Sequence, residues 1–205
     1  MKAVNDKLEA IGSKLSDLRR LDVDRKLFGA DHHQYVLNPV VPEATVIAFE
    51  TQFGVVLPVE YRRFLCEVGN GGAGPYYGLE PLENALFADL DHRDTTELIN
   101  PSLEFPLQNQ WNLYFEGERG SAEFEQFEDM YFDAKWVNGL IRISNFGCGV
   151  SLNLVVNGSE YGNVWVDDRC NDGGVYPDVY FDQQGRTSFL TWYELWLDSS
   201  LNELG

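Results

Sequence analysis

The chain has 205 residues, of which 44% are hydrophobic and 14% aromatic, and it carries a net charge of −18. That size and apolar content fit one domain plus an extension, or at most two small domains, and exclude a chain too polar to fold. So anionic a molecule repels phosphate backbones and anionic membranes and attracts basic proteins, although acidity can also serve solubility alone.

Val4, Leu8, Ile11, Leu15 and Leu18 recur at spacings of four and three, which predicts a helix over about residues 2–20 with one apolar stripe. Asp22 to Phe28 is expected to add a short helical turn stopped by Gly29, before a connector closed by Pro39 and Pro42. Pro42 and Glu43 suit the first turn of the next helix, with Val46, Ile47, Phe49 and Phe53 as its apolar residues and Gly54 at its end. Pro58 opens a further helix that buries Tyr61, Phe64, Leu65 and Val68 and stops at Gly69. The glycine-rich run 69–78 reads as a loop, and Leu79 to Leu86 as a short helix. Residues 87–134 are acidic and aromatic with weak periodicity, so loops with one or two short strands are expected there.

The last third is more regular. Leu140, Ile141 and Ile143 belong to a strand, Asn145 to Gly149 to a turn, and Val150, Leu152, Leu154 and Val156 to a strand of period two. Asn157-Gly158 signals a turn before a strand at Tyr161 to Val166, and a further short strand fits Val179 to Phe181. The closing helix, with Leu190, Tyr193, Leu195, Trp196 and Leu201, begins at either Ser188 or Thr191, the latter having capping-box spacing to Glu194. Helices first, then meandering strands, then a helix predict an α+β fold with a mostly antiparallel sheet. The expected organisation is an N-terminal helical extension, residues 1–38, followed by an α+β domain, residues 42–203.

Charge is uneven along this layout. Residues 80–134 hold fourteen acids against only Arg93 and Arg119. The cysteines Cys66, Cys148 and Cys170 are odd in number and lack Cys-x-x-Cys spacing, and the opening MKAVNDKLEAIGSKL has no continuous apolar run. Free thiols, a reducing bacterial-type cytoplasm and no membrane span are therefore expected.

The stretch EATVIAFETQFGVVLPVEYRRFLCEVGNGGAGPYYGLEPL resembles the start of the SUKH (Smi-one/Knr-four) family: Val56-Leu57-Pro58, Glu60-Tyr61-Arg62, Phe64-Leu65, then Asn70-Gly71-Gly72. IRISNFGCGVSLNLVVNGSEYGNVWVDDR resembles that family's paired strands, and SFLTWYELWLDSSL its closing helix, so the likeness spans about residues 42–203. The first helix and the acidic stretch 104–134 depart from it. The resemblance implies an α+β domain without catalytic machinery. It also implies an immunity role against secreted or contact-delivered toxins, often nucleases, or a regulatory scaffold role like that of the fungal branch.

Tests for chemistry return little. Gly69-Asn70-Gly71-Gly72-Ala73-Gly74 fits Gly-x-Gly-x-x-Gly, but it follows a helix and precedes Pro75, the wrong context for a dinucleotide. The alternatives are a helix stop with a tight loop, or a loop presenting Tyr76 and Tyr77 to a partner. His32, His33 and His92 form no ligand cluster, and the run from Asp167 to Gly173 fails as a calcium loop because Cys170 and Val179 replace required oxygen ligands. No Gly-x-Ser-x-Gly occurs, and acids are too plentiful for any one pair to indicate a hydrolase. No cofactor and no metal are expected. Glu116, Glu118, Glu123, Glu125, Glu128, Asp129 and Asp133 alternate with Trp111, Tyr114, Phe115, Phe124, Phe127, Tyr131, Phe132 and Trp136. That pattern suits either a solvated face over buried aromatics or a surface that steers and anchors a cationic protein. The expectation is a non-catalytic protein that binds a basic toxin through Tyr76, Tyr77, Glu123, Glu125, Glu128, Asp129, Asp167 and Asp168.

Overall fold

A computed structural model describes residues 2–181 and 185–205. The described residues form six α-helices and four strands in the order α1 (Lys2–Leu21), α2 (Ala30–His33), α3 (Glu43–Phe53), α4 (Val59–Glu67), α5 (Ala122–Tyr131), β1 (Leu140–Gly147), β2 (Val150–Val155), β3 (Val164–Asp168), β4 (Gly174–Pro177) and α6 (Phe189–Leu204). The fold is α+β, with a fully antiparallel sheet of order β1-β2-β3-β4.

The apolar stripe of α1 works as its spacing implies. Leu8, Ile11, Leu15 and Leu18 are buried in the same core as Phe64 and Leu65 of α4 and Phe189, Tyr193 and Leu197 of α6. Ion pairs flank this packing: Lys7 reaches Glu194 at 3.0 Å and Lys14 reaches Asp198 at 2.5 Å. The first helix is thus docked on the closing helix rather than projecting from the molecule.

Along β2 every residue is buried, so the sheet is covered on both faces. Leu152, Leu154, Val164 and Val166 share one face by alternation and join the helical core. Arg142, Asn153 and Trp165 are register partners on the other face, where Phe105 packs edge-on against Trp165. Both sheet edges are paired. Glu80 N–H donates to Ile143 O and Arg142 N–H to Ala85 O along β1, while Trp111 exchanges two backbone bonds with Val175 of β4. Covered edges remove a template for aggregation.

Five local expectations change. Residues 22–28 are not helical, because the Asp22 carboxylate accepts from Lys26 N–H, Leu27 N–H and the Tyr35 hydroxyl and holds a tight turn instead. The expected helix from Leu79 contracts to one 3-10 turn, Leu82–Asn84, because residues 77–80 pair with the β1 edge. The third strand starts at Val164 rather than Tyr161, which lies in a turn. The short strand is Gly174–Pro177, while Val179 and Tyr180 are exposed and outside the sheet. Within 87–134, the strands reduce to isolated bridges at Phe87–Leu98 and Trp111–Val175, and a helix, α5, occupies 122–131.

Backbone chemistry settles the glycine-rich loop. Its amides serve the chain itself: Gly72 N–H donates to Leu79 O and Ala73 N–H to Val36 O. Gly72 has a φ of 95°, and a Cβ there would come within 2.5 Å of Val36 O. Glycine is required for this close approach of three backbone segments, and the amides of Gly69, Asn70, Gly72 and Ala73 are committed to carbonyls of the chain rather than to a phosphate.

Candidate functional site

Register places Arg142, Ser151, Asn153 and Asp167 on the sheet face opposite the helices, all buried. Arg142 Nη1 donates to Ser151 Oγ at 2.7 Å, Asn153 Oδ1 at 2.8 Å and Asp167 Oδ2 at 3.2 Å, and its Nη2 donates to Ala88 O at 2.8 Å. Arg169 forks onto the same carboxylate, Nε to Oδ1 at 2.7 Å and Nη2 to Oδ2 at 2.9 Å, and its Nη1 donates to the carbonyls of Tyr131 and Asp133. Burial alone would raise the Asp167 carboxyl, but the hydrogen bond from Arg169 and the charges of Arg142 and Arg169 hold it below the usual carboxylate range. The trio carries one net positive charge, and burial lowers the Arg142 guanidinium below its usual range, opposed by the charge of Asp167 and less by that of Asp89.

A buried ion cluster contributes less to net stability than to fixing one arrangement. Here it fixes two walls. Arg142 ties the 87–88 backbone to the sheet, and Arg169 ties the end of α5 to it. Between those walls opens a cleft of about 440 Å³ floored by Arg142, Asp167 and Arg169. Asp89, Asp91 and Glu97 stand on one side, and Phe132 and Ala134 on the other. Asp91 is held against the β1–β2 hairpin tip, accepting from Asn145 Nδ2 at 2.8 Å and Gly149 N–H at 3.1 Å. The tip itself is a two-residue loop, Cys148-Gly149, with positive φ at both positions.

The cleft presents the carboxylates of Asp89, Asp91 and Glu97 around a floor of one net positive charge, so the acids outnumber that charge and the rim suits hydrogen bonding to guanidinium or ammonium groups. Proton transfer is poorly served. Asp167 is kept ionised by its two arginines, and burial pushes the Cys170 thiol up, away from the thiolate a nucleophile needs. Among the described residues no group of His, Cys, Asp and Glu is arranged to hold a metal.

Helix α5 carries Glu123, Glu125, Glu128 and Asp129, all exposed. Ser121 Oγ caps it, accepting from Phe124 N–H at 3.2 Å, and Glu123 and Glu125 sit in its first turn, where the helix dipole favours anions. Its inner face stacks instead: Phe127 lies 5.4 Å from Tyr131, Tyr131 5.4 Å from Trp111, and Trp111 4.2 Å from Trp136. Most aromatics of this segment therefore support the helix, leaving Tyr114 and Phe132 outward. The anchoring runs on to the adjoining turn, where Asn112 donates to Asp172 O and accepts from the Tyr131 hydroxyl. The acids of residues 89–97 thus line the cleft at the hairpin end of the sheet, and α5 leads into its other wall at Phe132. Lys7, Lys14, Arg62 and Arg63 lie in the helices at the other side, each paired with a carboxylate.

Two expected contact residues are corrected. Asp167 is 6% exposed and saturated by arginine, so it builds the floor and offers nothing to a partner. Tyr76 is 5% exposed, packed against Phe146 and Tyr180, so it is not presented on an open loop as expected and only an edge of it lines a hollow between those rings. Its neighbour Tyr77 is exposed beside Phe28 and His32, and Asp168 is half-buried next to Asn171. Sequence reading passed over Asp89, Asp91 and Glu97 as rim residues, and Arg142 and Arg169 as anchors. The available signal was an arginine inside the apolar strand Leu-Ile-Arg-Ile, which a covered sheet tolerates only with partners.

No helix among the described residues is long and apolar enough to cross a membrane. No curated protein and no solved structure matches the chain. Residues 41–183, well over half the sequence, match the SMI1 / KNR4 family (SUKH-1). The docked helices, the four-stranded antiparallel meander and this match agree: the chain belongs to the SMI1 / KNR4 family (SUKH-1).

Proposed function

We propose that this chain is a non-catalytic immunity protein that binds a basic protein toxin, of nuclease type, and covers its active surface. Family membership supports an immunity or related role. The observations that carry the toxin-binding reading are the carboxylates of Asp91 and Glu97 at the cleft and the four exposed acids of α5, Glu123, Glu125, Glu128 and Asp129, on a helix followed directly by Phe132, a residue of the cleft wall. A nuclease needs cationic residues to hold its substrate, so such a rim complements it. Long-range attraction raises the encounter rate by roughly 10–10³, and carboxylate–guanidinium pairs then lengthen the complex's lifetime.

The test is co-expression with the toxin encoded beside it. Rescue of growth, a stable complex, and affinity that falls on raising ionic strength are expected. Absence of both complex and rescue would reject the reading. Several weak partners without toxin dependence would instead match a scaffold.

A further inference from the structure

A second concavity lies on the other face of the hairpin tip, with Val150 lining both it and the cleft. It encloses about 300 Å³. Its apolar base is Leu152 and Val166, and its walls include Tyr76, Phe146, Tyr176 and Tyr180. Tyr76 lies 4.6 Å from Phe146 at 58° and 5.6 Å from Tyr180 at 67°. Rings meeting at such angles do not close face to face. Phe146 stays 39% exposed and Tyr180 69% exposed, a concentration of aromatic surface that an unbound molecule has no internal reason to keep.

Two carboxylates complete the lining, and no Lys, Arg or His stands among its described residues. Asp178 is 3% exposed, yet its donors are neutral: Tyr180 N–H at 2.9 Å and Trp192 Nε1 at 2.6 Å. Burial accordingly pushes its carboxyl up. Asp168 Oδ1 accepts from Asn171 Nδ2 at 2.8 Å, whereas its Oδ2 has only a 3.5 Å approach from the Tyr176 hydroxyl. That oxygen has acceptor capacity to spare. An anion is repelled here, and a neutral aliphatic group leaves the carboxylates unmatched. A weakly hydrated planar cation gains from both ring faces and carboxylate.

We propose that this hollow receives one arginine side chain of the basic partner, its guanidinium set among Tyr76, Phe146 and Tyr180 and paired with Asp168. The inference rests on the toxin-binding reading for the partner's identity, but the hollow's chemistry is testable without any toxin. Titration of the full chain with N-acetyl-arginine amide, followed by NMR of the Tyr and Phe rings, should give saturable shifts at Tyr76, Phe146 and Tyr180. The lysine and norleucine amides should bind more weakly. Asp168→Asn and Tyr180→Ala, neither a core change, should each weaken the arginine analogue by about fivefold or more. No ring shifts, equal binding of the lysine or norleucine analogue, or unchanged affinity in both variants would overturn the proposal. The two readings fail separately. If the analogue binds but no basic toxin is captured, the immunity role falls and the hollow stands. If a toxin is captured with full affinity by both variants, the hollow falls and the immunity role stands.

Discussion

Asp167 holds two largely buried guanidiniums at the floor of the cleft, so its removal leaves poorly compensated buried charge. Asp167→Asn is expected to cost about 3–5 kcal/mol, read as a lowered urea midpoint. Because its folded carboxyl titrates below the ordinary 3.8, the stabilisation is fully present above that pH and is lost as pH falls further. His33 works in a different window. Its Nδ1 accepts from Tyr35 N–H, its Nε2 has no partner among the described residues, and burial lowers it from 6.5 to about 4. The unfolded chain takes up a proton first as pH falls through 6.5, so stability declines from there down to about pH 4, by an order-of-magnitude limit of ~3 kcal/mol. Comparing urea midpoints at about pH 7.5 and about pH 5, His33→Gln should show a smaller drop than the parent chain. An equal drop would place the titration elsewhere.

Helix α1 illustrates how an element that departs from the family pattern becomes part of the core. Leu18 is fully buried and α1 packs on α6. Leu18→Ala should therefore cost about 2–5 kcal/mol and shift the whole unfolding transition. A separate early transition, seen by a probe in α1 alone, would show that the helix unfolds independently. Helix α5 is the opposite case, an element hidden in plain sequence. Phe124, Phe127 and Tyr131 have helical spacing behind the Ser121 cap, but four acids and an exposed Met130 dilute the apolar signal. Its inner face is legible only once Trp111 and Trp136 are brought beneath it.

Over the length of the chain the charge of −18 is uneven, and the exposed acids of α5 fall in its most acidic stretch. Glu123→Gln, Glu125→Gln, Glu128→Gln and Asp129→Asn combined should slow association with the cognate basic partner by about tenfold at low salt. The salt dependence of the rate should flatten as well. These side chains are exposed and make no side-chain hydrogen bond or ion pair among the described residues, so the urea midpoint should shift only by the lost dipole interaction of Glu123 and Glu125, about 0.3–1 kcal/mol each. A lost midpoint with an unchanged association rate would reverse the assignment from steering to structure.

Helical and strand periodicities, the proline and glycine stops, and the motif order were enough to read the α+β class and the family likeness, because local sterics and one-sided burial write themselves into spacing. The acidity of residues 80–134 was equally plain. Which acids point outward was not. Asp167 and Asp168 are neighbours in a strand, and alternation sends one under two arginines and leaves the other at an aromatic hollow. Tyr76 and Tyr77 part in the same way, one buried and one exposed. Such choices depend on contacts between segments far apart in the chain, Arg142 with Ala88 and Arg169 with Tyr131. No pattern within a short window encodes those pairings.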